Sequence, residues 1–168
     1  MNYHDIIEKK IIGPDEAVKV IAGWRTSPCK VVFTNGCFDL LHLGHVEYLS
    51  KAASFGDFLI IGLNTDASVS LIKGKTRPIN DEKSRAMVLA SLAFVSMVVL
   101  FSDDTPYELI KTLQPDILVK GADYKAEQIV GYDVVTGRGG SVLTIDLVSG
   151  YSTSAIEKRI VNAYLSQK

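Results

Sequence analysis

Cysteine is scarce in this sequence: Cys29 and Cys37 are the two in 168 residues, and their spacing is not that of metal ligands. That excludes a disulfide scaffold and a cysteine-built zinc module, and makes a reduced, cytoplasmic protein the expectation. An excess of charge of one sign is also missing. Eighteen Lys and Arg stand against nineteen Asp and Glu, a formal net charge of −1. Neither a nucleic acid nor an anionic membrane is therefore expected as partner. Long apolar runs are absent too, since the most apolar stretch, Leu92 to Phe101, is too short to span a bilayer. The start, Met1-Asn2-Tyr3-His4-Asp5, has neither the basic nor the apolar part of a signal peptide. No repeat, low-complexity tract or linker divides the chain, so residues 1–168 are expected to form a single domain, with 1–28 as an N-terminal helical extension. Hydrophobic residues at 47% and charged residues at 22% suit one well-filled core at this length.

What the sequence does have is concentrated at 31–45. Val31 to Phe33 is an apolar run that suits a buried strand. Thr34-Asn35-Gly36 favours a turn. His42 and His45 then flank Gly44, where a helical pattern begins. A helix N-terminus presents free N–H groups and a positive dipole end, and so attracts phosphate. Gly36 and Gly44 let the backbone come close to a ligand. Two imidazoles beside such a site are placed to donate hydrogen bonds to phosphate oxygens as charge develops. The other reading, a pair of zinc ligands, lacks a third ligand nearby.

Further apolar segments predict strands at 58–63, 96–101, 116–120 and 141–145, after a first at 31–34. Helices are expected from Pro14, over 44–55, 82–94 with Asp81 as N-cap, 105–113, and behind Ser152-Thr153-Ser154. Residues 1–13 read as peripheral. The segment 67–80, with Lys73, Lys75 and Arg77, shows no periodicity. It reads either as a solvated surface loop or as a lid that orders around a triphosphate. Strands alternating with helices point to the α/β class: a Rossmann-like, three-layer domain with a five-stranded parallel sheet. Polar clusters at 34–45, 64–66, 121–124 and 149–154 fall beyond strand carboxyl ends, where such sheets bind ligands. An NAD site would need Gly-x-Gly-x-x-Gly after the first strand, and Thr-Asn-Gly-Cys-Phe-Asp lacks it.

The run 35–45, Asn-Gly-Cys-Phe-Asp-Leu-Leu-His-Leu-Gly-His, resembles the signature of the cytidylyltransferase-like nucleotidyltransferases. Ser152-Thr153-Ser154-Ala155-Ile156 is similar to their late Ser-Thr-Ser/Thr-x-Ile motif. A narrower likeness, over about residues 13–160, is to the adenylyltransferase domain of bacterial heptose biosynthesis. It rests on Lys73-Gly74, Arg77-Pro78-Ile79-Asn80, Asp104-Thr105-Pro106 and Leu118-Val119-Lys120-Gly121-Ala122-Asp123-Tyr124. Glycerol- and choline-phosphate cytidylyltransferases carry Arg-Thr-Glu-Gly where this chain has Leu147-Val148-Ser149-Gly150, which makes a polyol-phosphate cytidylyltransferase the second reading. A catalytically silent nucleotide-binding module is a third, and it would lack a histidine or the Ser-Thr cap.

The resemblance implies transfer of AMP from ATP to a heptose 1-phosphate, with Mg²⁺ carried on the nucleotide and no metal ligands from the protein. It implies small-molecule partners and a homo-oligomer. Catalytic roles would fall to His42, His45, Lys73 and Arg77. Nucleotide binding would fall to Thr34, Asn35, Gly36, Phe38, Gly44, Gly121, Asp123, Tyr124, Ser152, Thr153 and Ser154. Asp39, Asp66 and Arg85 would bind the second substrate.

Overall fold

Six strands form one parallel sheet: β1 (Ile11–Ile12), β2 (Val31–Gly36), β3 (Phe58–Asn64), β4 (Met97–Phe101), β5 (Ile117–Gly121) and β6 (Ser141–Ile145). The computed structural model describes residues 1–122, 125–146 and 148–166. Strand order is β1-β4-β3-β2-β5-β6. The strands have few polar residues because both faces are covered. Val31, Phe33, Ile60, Met97 and Val99 enter one core, and Val32, Leu59, Ile61, Leu63 and Val98 enter the other. This is the period-two alternation of a strand, with an apolar residue at each step.

The helices are α1 (Tyr3–Glu8), α2 (Pro14–Trp24), α3 (Leu43–Ala53), α4 (Asp66–Lys73), α5 (Glu82–Ala90), α6 (Tyr107–Leu113), α7 (Tyr132–Thr136) and α8 (Thr153–Leu165). Tyr48, Leu49 and Ala52 of α3 and Ala86, Leu89 and Ala90 of α5 fill one layer, against the sheet face of Val32, Leu59 and Ile61. Ala17 and Ile21 of α2, with Leu109, Ile110 and Leu113 of α6, fill the second. The result is the expected three-layer α/β architecture.

Two expectations need correction. The sheet has six strands, not five, because Ile11 and Ile12 pair with Val98 and Val99 at its edge. The stretch 1–28 carries β1 as well as α1 and α2 and packs on the sheet: Val98 N–H donates to Lys10 O, and Ala17 is fully buried. The segment 67–80 is also not one loop. Thr65 caps α4, its side chain accepting from Ser68 N–H, and the chain stays helical to Lys73.

Connectivity decides where a ligand can sit. β2 lies between β3 and β5: the chain runs from β2 outward to β3 and β4, then crosses back to β5 on the other side of β2. The crevice beyond the carboxyl ends of β2 and β5 is the topological switch point.

Candidate active site

β2 ends at Gly36, and the chain turns through Cys37 and Phe38 towards α3. Phe38 has φ 46°, a left-handed conformation rare for a bulky side chain and typical of functional turns. A Cβ on Gly36 would stand 3.0 Å from the Phe38 ring, so glycine lets that ring fold back over the strand end. His42 is the extended N-cap of α3, and its Nδ1 accepts from His45 N–H at 3.3 Å. The two imidazoles stack with centroids 3.8 Å apart, and the Phe38 ring meets His45 edge-on at 5.2 Å. A Cβ on Gly44 would lie 3.1 Å from His42 Nδ1 and 3.2 Å from Tyr151 Cβ. The small residue thus lets the approach to α8 cross close to the imidazoles.

Ser152 caps α8, its side chain accepting from Ala155 N–H at 3.1 Å. Ser152, Thr153 and Ser154 line the same cleft as His42 and His45, so two helix N-termini converge on one space of about 520 Å³. Lys73, at the end of α4, and Lys120, near the end of β5, add positive charge to its walls. Lys120 Nζ donates to Asn35 O at 3.1 Å. A separate cavity of about 700 Å³ lies at the sheet edge, with Ile11, Ile12, Ala86, Met87 and Leu100 among its walls, but no imidazole or helix N-cap faces it.

Burial, then the neighbouring His42 and Lys73, holds the His45 imidazole down at about 4, against the weaker opposing pull of the Leu40 backbone. Burial lowers His42 as well. Both rings are therefore neutral at pH 7 in the ligand-free protein. Burial pushes the Cys37 thiol up, which keeps it protonated and weakly nucleophilic. Among the described residues, Asn35 Oδ1 and His45 Nδ1 are buried without a hydrogen-bond partner. Such atoms are costly, at about 1–3 kcal/mol each, unless a ligand satisfies them.

The cytidylyltransferase-like family model matches residues 33–159, from inside β2 to inside α8. The chain belongs to the cytidylyltransferase-like family. It is 56% identical over 153 residues to the bifunctional protein HldE of Caulobacter vibrioides, covering 91% of this chain and 32% of that protein. It is 51% identical over 153 residues to the bifunctional protein HldE of Gluconobacter oxydans, with 91% and 32% covered. The chain thus spans about a third of the length of the curated relatives it matches. The crystal structure of the lipopolysaccharide core biosynthesis protein from Thermoplasma volcanium superposes with a TM-score of 0.59 at 30% identity, covering 74% of this chain and all of that one.

In this member of the cytidylyltransferase-like family, Asn35, Gly36, Phe38, Asp39, His42, Gly44, His45, Lys73, Gly121 and Ser152 to Ser154 line the cleft. Four other residues singled out in the sequence stand outside it. Thr34 is fully buried, its hydroxyl 2.8 Å from that of Tyr48. Arg85 is 2% exposed and spans three segments, donating to Asp66 Oδ1 at 2.7 Å, Cys37 O at 2.6 Å and Asn80 O at 3.0 Å. Asp66 is that arginine's partner. Arg77 pairs with Asp39 at 2.8 Å and with Glu157. Asp39 lines the cleft, but both its oxygens are engaged, by Arg77 and by Ile79 and Asn80 N–H. Burial alone would raise its carboxyl, and those hydrogen bonds outweigh burial and hold it below the usual range. Asp123 and Tyr124 lie outside the described residues.

Sequence reasoning missed Lys120, Tyr48 and Tyr151 as cleft residues. Tyr48 had a signal, since it follows His45 by three and shares its helix face. Lys120 had one in its place beside Gly121 at a strand end. Among the described residues no group of three or more His, Cys, Asp or Glu is placed to hold a metal ion. No described helix is long and apolar enough to cross a membrane.

Proposed function

We propose that this chain transfers AMP from ATP to a heptose 1-phosphate, releasing pyrophosphate and forming ADP-heptose. The observation that carries the reading is the convergence of two capped helix N-termini, α3 and α8, with two neutral imidazoles between them at the switch point of the sheet. A triphosphate brings several negative charges, and its oxygens need many donors. The N–H groups of both helices, the imidazoles, Lys73 and Lys120 supply them. The sugar 1-phosphate oxygen attacks the α-phosphorus in line, the bond to the bridging oxygen breaks, and pyrophosphate leaves. A protonated Cys37 and a Ser152 hydroxyl committed to its cap favour this direct displacement over a covalent enzyme intermediate. Catalysis is then mostly positioning and stabilisation of charge. Mg²⁺ belongs to the MgATP substrate, and the one carboxylate that the described residues place on the cleft wall, Asp39, is already engaged.

The heptose-type segments around Arg77 and Lys120, together with 51–56% identity to two HldE proteins, support heptose 1-phosphate as acceptor. The absence of arginine in Leu147-Val148-Ser149-Gly150 supports ATP over CTP. A panel of nucleoside triphosphates crossed with heptose 1-phosphate and glycerol 3-phosphate, read by pyrophosphate release, tests both. ATP with heptose 1-phosphate is expected to turn over fastest. Faster turnover of CTP with glycerol 3-phosphate overturns the reading in favour of a polyol-phosphate cytidylyltransferase.

A further inference from the structure

We infer that Arg77 and Glu157 act as a strap that holds the N-terminus of α8 over the nucleotide site, and that both are positioning residues rather than phosphate ligands. The inference rests on the proposed nucleotidyl transfer for its kinetic readout alone. α8 buries none of its thirteen residues, so packing does little to fix it. Its first turn nevertheless carries Ser152 to Ser154, which form one wall of the cleft. Glu157, one turn further on, reaches the Arg77 guanidinium, and the same guanidinium donates to Asp39 Oδ2 at 2.8 Å. Asp39 is anchored in turn. Its carboxylate is 1% exposed, and it accepts from Ile79 N–H at 2.7 Å and Asn80 N–H at 3.1 Å, while Asn80 Nδ2 donates to its carbonyl at 2.9 Å. The path runs from α8 through Arg77 to the turn that carries Phe38 and the imidazoles.

Charge argues the same way. Two carboxylates surround one guanidinium, so Arg77 offers a phosphate no uncompensated positive charge. Lys73, on the cleft wall, is better placed for that role. A guanidinium held by two carboxylates in fixed geometry is instead a rigid joint.

The two roles differ in the sign of one result. Wild type, Arg77→Ala, Glu157→Ala, Glu157→Asp and the double alanine variant are compared. In ligand-free protein, the strap gives α8 amides that exchange with solvent about tenfold faster in both single alanine variants, with β2 and β3 amides unchanged. In turnover, KM for ATP rises about tenfold in each alanine variant, the loss of a charge-assisted hydrogen bond. KM for the sugar phosphate moves little, the double variant is no worse than either single one, and Glu157→Asp recovers part of the loss. If Arg77 grips phosphate itself, Glu157→Ala frees it, and KM for ATP stays level or falls while Arg77→Ala raises it. That split overturns the strap, as does unchanged α8 exchange in Glu157→Ala. A wild type that releases no pyrophosphate defeats the functional reading instead, and the exchange data still decide the strap.

Discussion

Replacing Arg85 by alanine separates a clamp from a substrate ligand. The guanidinium is buried, and its three hydrogen bonds run to Asp66, Cys37 O and Asn80 O. Hydrogen bonds to a charged group are worth about 1.5–3 kcal/mol each, and breaking a fully buried ion pair costs about 3–5 kcal/mol. Asp66 is 39% exposed, so water takes over its carboxylate and the loss sits at the low end. The carbonyls of Cys37 and Asn80 lose their donor with less recourse to solvent. A net destabilisation of about 3 kcal/mol follows, which for a chain of this length lowers Tm by about 6–12 °C. Thermal unfolding by circular dichroism reads it directly. Turnover falls as well, because the turn that carries Phe38 loses its support at Cys37. An unchanged Tm with a raised KM for the sugar phosphate would refute this reasoning and return Arg85 to the substrate.

Three further outcomes are expected. The His45 imidazole titrates at about 4 in the folded chain against an ordinary 6.5, so the unfolded chain takes up that proton first. The stability it contributes is whole above about pH 6.5 and is lost as pH falls towards 4, with a slope below about 1.4 kcal/mol per pH unit because the ring is part-exposed; His45→Asn should flatten the pH dependence of Tm in that window, and an unaltered profile would contradict it. Lys73→Ala should lower kcat/KM for ATP about tenfold with Tm unchanged, and an unaltered kcat/KM would show a surface lysine. Gly44→Ala should leave Tm nearly level, since the helix preference of alanine, at most about 1 kcal/mol, is offset by crowding against His42 and Tyr151. The same change should lower kcat at least tenfold by pushing on His42 and Tyr151, and full activity would show that the close approach of α8 is dispensable.

The strands were legible because β2 to β5 are buried on both faces, so runs such as Val31 to Phe33 and Phe58 to Leu63 carry a strong apolar signal. β1 was not, because two residues at a sheet edge make no pattern. α4 was hidden for a related reason: among DASVSLIK, Ser68 and Val69 are buried while Leu71 is 78% and Ile72 55% exposed, so its periodicity is scrambled. In the site, His42, His45 and the Ser152 cap were readable as short-range motifs. The engagement of Arg77 and Arg85 was not. Their partners Asp39, Glu157, Cys37 and Asp66 are distant in sequence and meet only through the fold, and an arginine in a motif looks the same whether it grips a phosphate or a carboxylate.

The central claim is that the stacked imidazoles stabilise charge on the α-phosphoryl oxygens and the departing pyrophosphate. The measurement that tests it most directly is kcat for pyrophosphate release from ATP and heptose 1-phosphate by His42→Ala and His45→Ala, with Tm taken on the same samples. Removing one such donor typically costs about 10²–10³ in kcat. That loss is expected in each variant, with Tm within about 2 °C of wild type for His45→Ala and lowered by about 2–4 °C for His42→Ala, which also removes the side-chain cap of α3. Near-normal kcat in both variants would contradict it.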